Sequence, residues 1–270
     1  NDAKKPFLNR AVAGTYTPGS IVKPCLAIVV LSENLIDPEK QIFSSGKIEI
    51  QNPYNEKEKT IFPDWKAHGW VDMRRALAVS SNVYFYVVGG GFEDQKGLGI
   101  SGIEKYMKMF GFGNLTGIEF DSEQEGVIPN PAWKEINFPD DSLWRLGDTY
   151  HTTIGQYGFQ VTPLQVVRGI AAIANNGKLL KPILEKIGDS ENKDQIHFEQ
   201  LPVSPSYFQV VREGMRQGVL EGTAAALGTE AVKIAAKTGT AELGTTKQYV
   251  NSWATGFFPY ENPRYAFALI

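Results

Sequence analysis

The chain has 270 residues, of which 42% are hydrophobic and 21% charged. That length can bury a sizeable core, as one large domain or two small ones, and the composition excludes general disorder. The formal net charge is -3, and lysine and arginine are scattered rather than clustered, which excludes a basic footprint for nucleic acid.

Residues 1–18 form an irregular lead-in that ends at Pro18-Gly19. Residues 20–31 are apolar at helical length, and Pro24 falls in the first turns, where a missing N–H is tolerated. Cys25, the single cysteine, reads as a small buried hydrophobe. It makes no internal disulfide and no cysteine-rich zinc site, and it does not decide the compartment. No stretch approaches the roughly 18 apolar residues of a membrane span. The polar residues 1–10 do not form a signal peptide, so any export or anchoring segment is expected outside this sequence.

Residues 37–69 are mixed, with short strands expected at 42–43 and 47–50 and turn signals at Asn52-Pro53 and Phe62-Pro63. Residues 71–79 read as a helix, broken at Ser80-Ser81-Asn82. A second apolar run, 83–88, stops at Gly89-Gly90-Gly91. An amphipathic helix over 103–110 ends at Gly111 and Gly113. Turn formers and aromatics, including Trp133 and Trp144, fill 114–150. A strong helix over 163–175 opens on Pro163 and closes at Asn175-Asn176-Gly177. Residues 185–200 read as a polar loop and 207–220 as a helix ending near Gly222. The chain then changes character: 233–242, 252–258 and 264–270 read as three strands of an antiparallel meander. Helices in the middle with strands gathered at the end predict an α+β domain over 1–270, with an all-helical part at 71–220 and the meander at 233–270.

Three short patterns bear chemistry. In Lys237-Thr238-Gly239-Thr240, inside a predicted strand, alternation puts Lys237 and Gly239 on one face. A lysine beside a bare glycine makes a slot for an anionic, peptide-like substrate; an exposed lysine and a bulge glycine read equally from the tripeptide alone. In Ser20-Ile21-Val22-Lys23, helical spacing puts serine and lysine on one face, at a helix start that favours developing negative charge. Lys23 could take the serine proton if burial or cationic neighbours lower its pKa; otherwise Ser20 is an N-cap. The third pattern is Ser80-Ser81-Asn82.

The Ser-x-x-Lys spacing recurs at Ser44/Lys47 and Ser190/Lys193. The Ser-x-Asn spacing recurs at Ser32/Asn34 and Ser190/Asn192. Context separates the copies: only Ser20 opens an apolar helix, and only Ser80 sits at a break between two.

Ser-x-x-Lys, Ser-x-Asn and Lys-Thr-Gly in this order resemble the signature of penicillin-binding proteins and class A β-lactamases. The likeness to class B penicillin-binding proteins runs from about residue 7 to the C-terminus. It includes Tyr16-Thr17-Pro18-Gly19-Ser20, Asp64-Trp65-Lys66 with His68-Gly69, and Ala78-Val79-Ser80-Ser81-Asn82-Val83-Tyr84-Phe85-Tyr86. Phe110-Gly111-Phe112-Gly113, Gly147-Asp148-Thr149, Ile154-Gly155-Gln156 and Val161-Thr162-Pro163-Leu164-Gln165 extend it. These segments resemble the elongation type, penicillin-binding protein 2.

That resemblance implies a peptidoglycan D,D-transpeptidase that works through an acyl-serine on D-alanyl-D-alanine stem peptides, with an amine of a second stem as acceptor. Ser20 would be the nucleophile and Lys23 the general base. Ser80 would shuttle a proton, Asn82 would hold the substrate amide, and Lys237 would supply positive potential. Thr238, Gly239 and Thr240 would line the substrate strand, and the N–H groups of Ser20 and Thr240 would form an oxyanion hole. It also implies β-lactams as inhibitors, a membrane-embedded glycan polymerase as partner, no nucleic acid, and no metal or organic cofactor. The expected location is the periplasmic face of the cytoplasmic membrane. The implied fold is penicillin-binding/β-lactamase-like, an antiparallel sheet of about five strands flanked by helices. Three strands are visible here, so the sheet is expected to be incomplete at both ends.

Some elongation-type relatives carry zinc near the second motif on aspartate, histidine and cysteine. Here Asp64 and His68 could supply two ligands, but Ser81 stands where the cysteine is expected, which leaves a weak site. His68 then reads as a structural loop residue, and His151 and His197 have no supporting pattern. Three rival readings use the same triplet. A β-lactamase needs a deacylating glutamate, and Glu119, Glu123 and Glu125 lack the expected setting. A D,D-carboxypeptidase would release D-alanine without cross-linking. A penicillin-sensing receptor would acylate only.

Overall fold

A computed structural model of the chain describes residues 7–52, 55–184, 196–244 and 249–270. The nucleophile segment begins with a 3₁₀ turn over Gly19–Val22 that runs into α1, Lys23–Ser32. Every residue of α1 from Lys23 to Leu31 is buried. A helix apolar on all sides belongs at the centre of a core, and α1 is surrounded by the helices over Asn82–Gly90, Gly99–Met109, Pro163–Ala174 and Pro205–Glu221. Cys25 is buried and free, as its apolar setting predicts.

The mixed region resolves into two hairpin-like pairs. β1, Ile42–Ser44, pairs antiparallel with β4, Gly69–Val71; β2, Lys47–Asn52, pairs antiparallel with β3, Asn55–Pro63. α2, Met73–Val79, and α3, Asn82–Gly90, follow, with Ser80 at the joint in the left-handed region at φ 59. Asp72 caps α2 by accepting from the Arg75 N–H at 2.8 Å. α4 spans Gly99–Met109.

Two short helices lie where only turns and aromatics were expected. α5, Pro131–Asn137, is capped by Asn130, whose Oδ1 accepts from the Trp133 N–H at 2.8 Å. In α6, Leu146–Thr153, the Asp148 carboxylate accepts from the Arg145 N–H at 2.7 Å. α7, Pro163–Ala174, carries a full capping box between Thr162 and Gln165. β5, Lys178–Leu180, pairs with β6, Phe198–Gln200. This pair corrects the expectation of an all-helical 71–220. The expected loop over 185–200 falls in part outside the described residues. The Ser190 copies of both motifs lie wholly outside them.

α8, Pro205–Glu221, lies against α2 so closely that glycines are required at the crossing. A Cβ on Gly214 would sit 2.9 Å from the Leu77 side chain and 3.1 Å from Arg74 O. The C-terminal meander forms as read: β7, Ala235–Leu243; β8, Tyr249–Phe258; and β9, Tyr265–Leu269, antiparallel in the order β7-β8-β9. α7 packs on β8 and β9, and α8 packs on β7. The architecture is α+β, and among the described residues its main sheet has three strands. β7 is an edge strand, and its free side faces the 3₁₀ turn. Among the described residues no helix is long and apolar enough to cross a membrane.

Candidate active site

The turn that carries Ser20 is wedged between two backbones. Gly19 donates its N–H to Gly155 O at 3.0 Å. Its backbone is left-handed at φ +57, and an added Cβ would meet Thr240 O at 2.6 Å. Only glycine fits both the conformation and the space. Gly239 answers from the other side: a Cβ there would lie 2.9 Å from Pro18 O and 3.1 Å from Ile21 N. Thr17 is tied to β8, where its carbonyl accepts from Trp253 Nε1 at 3.0 Å and Asn251 Nδ2 at 3.3 Å. The first and third motifs therefore touch through backbone, at positions where side chains are absent.

The local form around Ser20 differs from the expected α-helical start. In a 3₁₀ turn, residues i and i+3 eclipse, so Ser20 and Lys23 stack on one side. The Lys23 N–H closes the turn on Ser20 O. The cap alternative falls away, because neither the turn nor α1 has a side-chain cap.

Lys23 is buried and reaches the second motif. Its Nζ donates to Ser80 O at 2.8 Å and Asn82 Oδ1 at 2.7 Å, with Ser81 O at 3.3 Å and Ser80 Oγ at 3.5 Å. Lys237, also buried, donates to Ser80 Oγ at 2.7 Å and Thr238 O at 2.7 Å. Burial pulls the Lys23 ammonium down to about 7, against the opposing pull of the Asp64 charge. Burial, and after it the charge of Lys23, pull Lys237 well below the ordinary lysine value. Two ammonium groups crowded around one hydroxyl favour losing a proton.

Above them opens a cleft of about 1010 Å³ lined by Ser20, Ser80, Asn82, Thr238, Gly239 and Thr240. All eight motif residues singled out from the sequence thus converge, six on the cleft wall and two lysines beneath it. Thr238 Oγ1 donates to Thr223 Oγ1 at 2.7 Å, so hydroxyls cluster at that end. The rival copies among the described residues do not converge: Lys47 is exposed and ion-paired with Glu49, and Ser32 Oγ donates to Ile28 O. Ser44 is recruited to the second motif in a different capacity.

The cleft also holds residues outside the three motifs. His151, Gln156 and Tyr157 line it from the α6 end, Trp65 from the loop after β3, and Thr223 from the end of α8. Ile154-Gly155-Gln156 and Asp64-Trp65-Lys66 were legible as segments, but nothing in their composition assigns them to a wall. Glu119, Glu123 and Glu125 do not line this cleft, and Glu123 is engaged by the Thr116 N–H at 2.9 Å.

The residues around Asp64 do not fit a zinc ion. Its Oδ2 already accepts from Ser81 Oγ at 2.9 Å, Val83 N at 3.0 Å and Ser44 Oγ at 3.3 Å, and its Oδ1 accepts from Trp65 N at 2.9 Å. His68 Nε2 lies 3.7 Å from Oδ1, and Ser81 offers a hydroxyl where a thiolate would be needed. Among the described residues no group of three or more His, Cys, Asp or Glu is gathered for a metal.

This arrangement can be set beside known proteins. The chain is 31% identical over 293 residues to peptidoglycan D,D-transpeptidase MrdA of Haemophilus influenzae, covering 100% of this chain and 43% of that protein. The structure is similar to penicillin-binding protein 2 from Helicobacter pylori, with a TM-score of 0.81, 31% identity and coverage of 100% of this chain and 48% of that one. It is also similar, with a TM-score of 0.80 and 30% identity, to a chain of a peptidoglycan synthase complex that coordinates polymerization and crosslinking, covering 99% of this chain and 44% of that one. The chain thus spans less than half the length of these relatives. The pattern of the penicillin binding protein transpeptidase domain matches residues 1–270. That match spans all the residues of the chain, the three motifs that meet in the cleft among them, and the chain belongs to the penicillin-binding protein transpeptidase domain family.

Proposed function

We propose that this chain is the acyl-transfer domain of a peptidoglycan D,D-transpeptidase of the elongation type, with Ser20 as nucleophile. One observation carries the reading: two buried lysines from different elements converge on the Ser80 hydroxyl beside Ser20 and the β7 edge. A neutral Lys23 has two N–H bonds and one lone pair. Its two short contacts, Ser80 O and Asn82 Oδ1, use the two N–H groups and leave the lone pair for the Ser20 proton.

Ser20 Oγ attacks the carbonyl carbon of the penultimate D-alanine, and its proton passes to Lys23. The oxyanion is held by the N–H groups of Ser20 and Thr240, each such donor being worth about 3–4 kcal/mol. The C–N bond to the terminal D-alanine breaks as Ser80 gives its proton to the departing amine and takes the proton held on Lys23 in its place. The acceptor amine then attacks the ester carbon, and its proton passes by way of neutral Lys23 to Ser20 Oγ as the C–O bond of the ester breaks. Lys237 responds to the substrate: a donor carboxylate near Thr238 and Thr240 brings the countercharge that favours its protonated form. The edge position of β7 suits a peptide that adds as a further strand.

The partners and location follow from relatives: stem peptides as donor and acceptor, β-lactams as donor mimics, a membrane glycan polymerase, and the periplasmic face of the membrane. Glu119, Glu123 and Glu125 are absent from the cleft, and the glutamate that does line it, Glu242, lies on β7 beyond the Lys-Thr-Gly motif; this disfavours a β-lactamase. Intact mass after a labelled penicillin tests the reading. One adduct is expected on the native chain and none on Ser20→Ala. An adduct on Ser20→Ala, or sustained hydrolysis of the penicillin, rejects it.

A further inference from the structure

The second motif is held by a buried carboxylate that acid–base chemistry does not use. Asp64 arrives on the loop after β3, and its side chain is fully buried. It receives four hydrogen bonds from three separate segments: Trp65 N, Ser44 Oγ, and the Ser81 hydroxyl with the Val83 N–H. The Ser81 and Ser44 hydroxyls lie 3.0 Å apart. Ser81 Oγ also accepts from the Tyr84 N–H at 3.2 Å, which makes it the cap of α3. The loop has two more holds on this joint: Trp65 Nε1 donates to Val79 O at 3.1 Å, and His68 N donates to Ser44 O at 2.9 Å.

This matters for chemistry because of what sits between. Ser80 is a non-glycine residue in the left-handed region, a strained conformation that persists only when its surroundings enforce it. Asp64 binds the residues on either side of Asn82, at Ser81 and Val83, and Trp65 holds Val79, so Ser80 lies between Val79 and Ser81, both held from the same loop. A carboxylate that accepts three hydrogen bonds on Oδ2 and one on Oδ1 is a rigid anchor; the buried His68 Nε2, which has no hydrogen-bond partner among the described residues, faces Oδ1 at 3.7 Å, and one imidazole with one carboxylate oxygen is a poor set for zinc.

We propose that Asp64, with Ser81 and Ser44, is a metal-free clamp that positions Ser80 and Asn82 for acyl transfer. It holds the joint that a zinc ion with a cysteine ligand would hold in relatives of the sequence's type. Asp64 is a positioning residue: it lies at the cleft wall, but its hydrogen bonds go to the chain's own hydroxyls and N–H groups. The inference rests on the acyl-serine reading above, and the two fail separately. The Ser20 adduct on the native chain tests that reading, whereas the clamp is read only from variants and metal content.

The experiment measures acylation by a fluorescent penicillin, melting temperature, and zinc by plasma mass spectrometry, on the purified chain. The native chain should hold far less than one zinc, and a chelator should change neither rate nor melting temperature. Ser81→Thr and Ser81→Val add the same bulk to the same buried site and differ in the hydroxyl. Thr should acylate faster than Val by at least tenfold, and Asp64→Asn should lose on the order of 100-fold, as displaced catalytic groups do. Stoichiometric zinc, a rate that falls with chelator, equal rates for Thr and Val, or a folded Asp64→Asn at native rate would each overturn the clamp. If Asp64→Asn does not fold, Ser44→Ala replaces it: a several-fold slower rate at nearly native melting temperature supports the clamp, and an unchanged rate overturns it.

Discussion

Burial places the Lys23 ammonium near pH 7, and this makes the pH dependence of acylation a sharp test. Only the unprotonated amine accepts the Ser20 proton, so the rate follows its neutral fraction. With a pKa of about 7, that fraction is about 9% at pH 6 and about 91% at pH 8. The acylation rate should therefore rise about tenfold between those values and then level off. An ordinary lysine near 10.4 would instead give a rise of about 100-fold over the same span, continuing about tenfold more to pH 9 and bending over only above about pH 10. Because Lys237 sits on the same hydroxyl, the midpoint belongs to the pair rather than to one amine. Stopped-flow acylation by a chromogenic penicillin from pH 5.5 to 10, at fixed ionic strength, distinguishes the two curves. Lys23→Arg, which cannot lose its proton, should fall to background at every pH. A rate that climbs log-linearly through pH 9, or an active Lys23→Arg, would refute the assignment of the base.

Three substitutions probe how the site is held. Gly239→Ala drives a methyl to within 2.9 Å of Pro18 O and the Ile21 side chain, and should cost about 1–3 kcal/mol in urea unfolding while acylation falls on the order of 100-fold. Gly155→Ala puts an L side chain at φ +73 with its Cβ 2.3 Å from Gly19 O, so stability should drop by about 2 kcal/mol or more and acylation should fall with it. Lys134 donates to Asp148 Oδ2 and to Leu143 O, each at 2.7 Å, from a buried position. Lys134→Met leaves that carboxylate without its countercharge and should cost about 3 kcal/mol by denaturant melt, a loss that a native midpoint would contradict.

What could be read from neighbouring residues was the regular structure and the chemistry it carries. α7 was legible because Thr162, Pro163 and Gln165 supply a start and Asn175-Asn176-Gly177 a stop. The meander was legible because 235–270 is rich in strand formers broken by turns. The eight motif residues were legible because spacing and context singled out one copy of each pattern. The short helices α5 and α6 were passed over, although Asn130-Pro131 is a start signal of the same kind; the surrounding aromatics and turn formers masked it. β3 was hidden because its charged first half has little strand propensity, and pairing with β2 decides it. β5 and β6 are three residues each, too short for any pattern to register.

The site itself was decided by tertiary structure. Lys23 meets Ser80 across 57 residues and Lys237 meets it across 157, separations that no local preference encodes. The 3₁₀ form of the Ser20 turn follows from backbones pressed on Gly19 from two sides, and the left-handed Ser80 from the contacts that hold its neighbours. A lysine's identity is written in the chain, but its proton affinity is set by how much water and charge surround it. That is why Lys23 could be named as a base from sequence on one condition, burial, which only the folded core supplies.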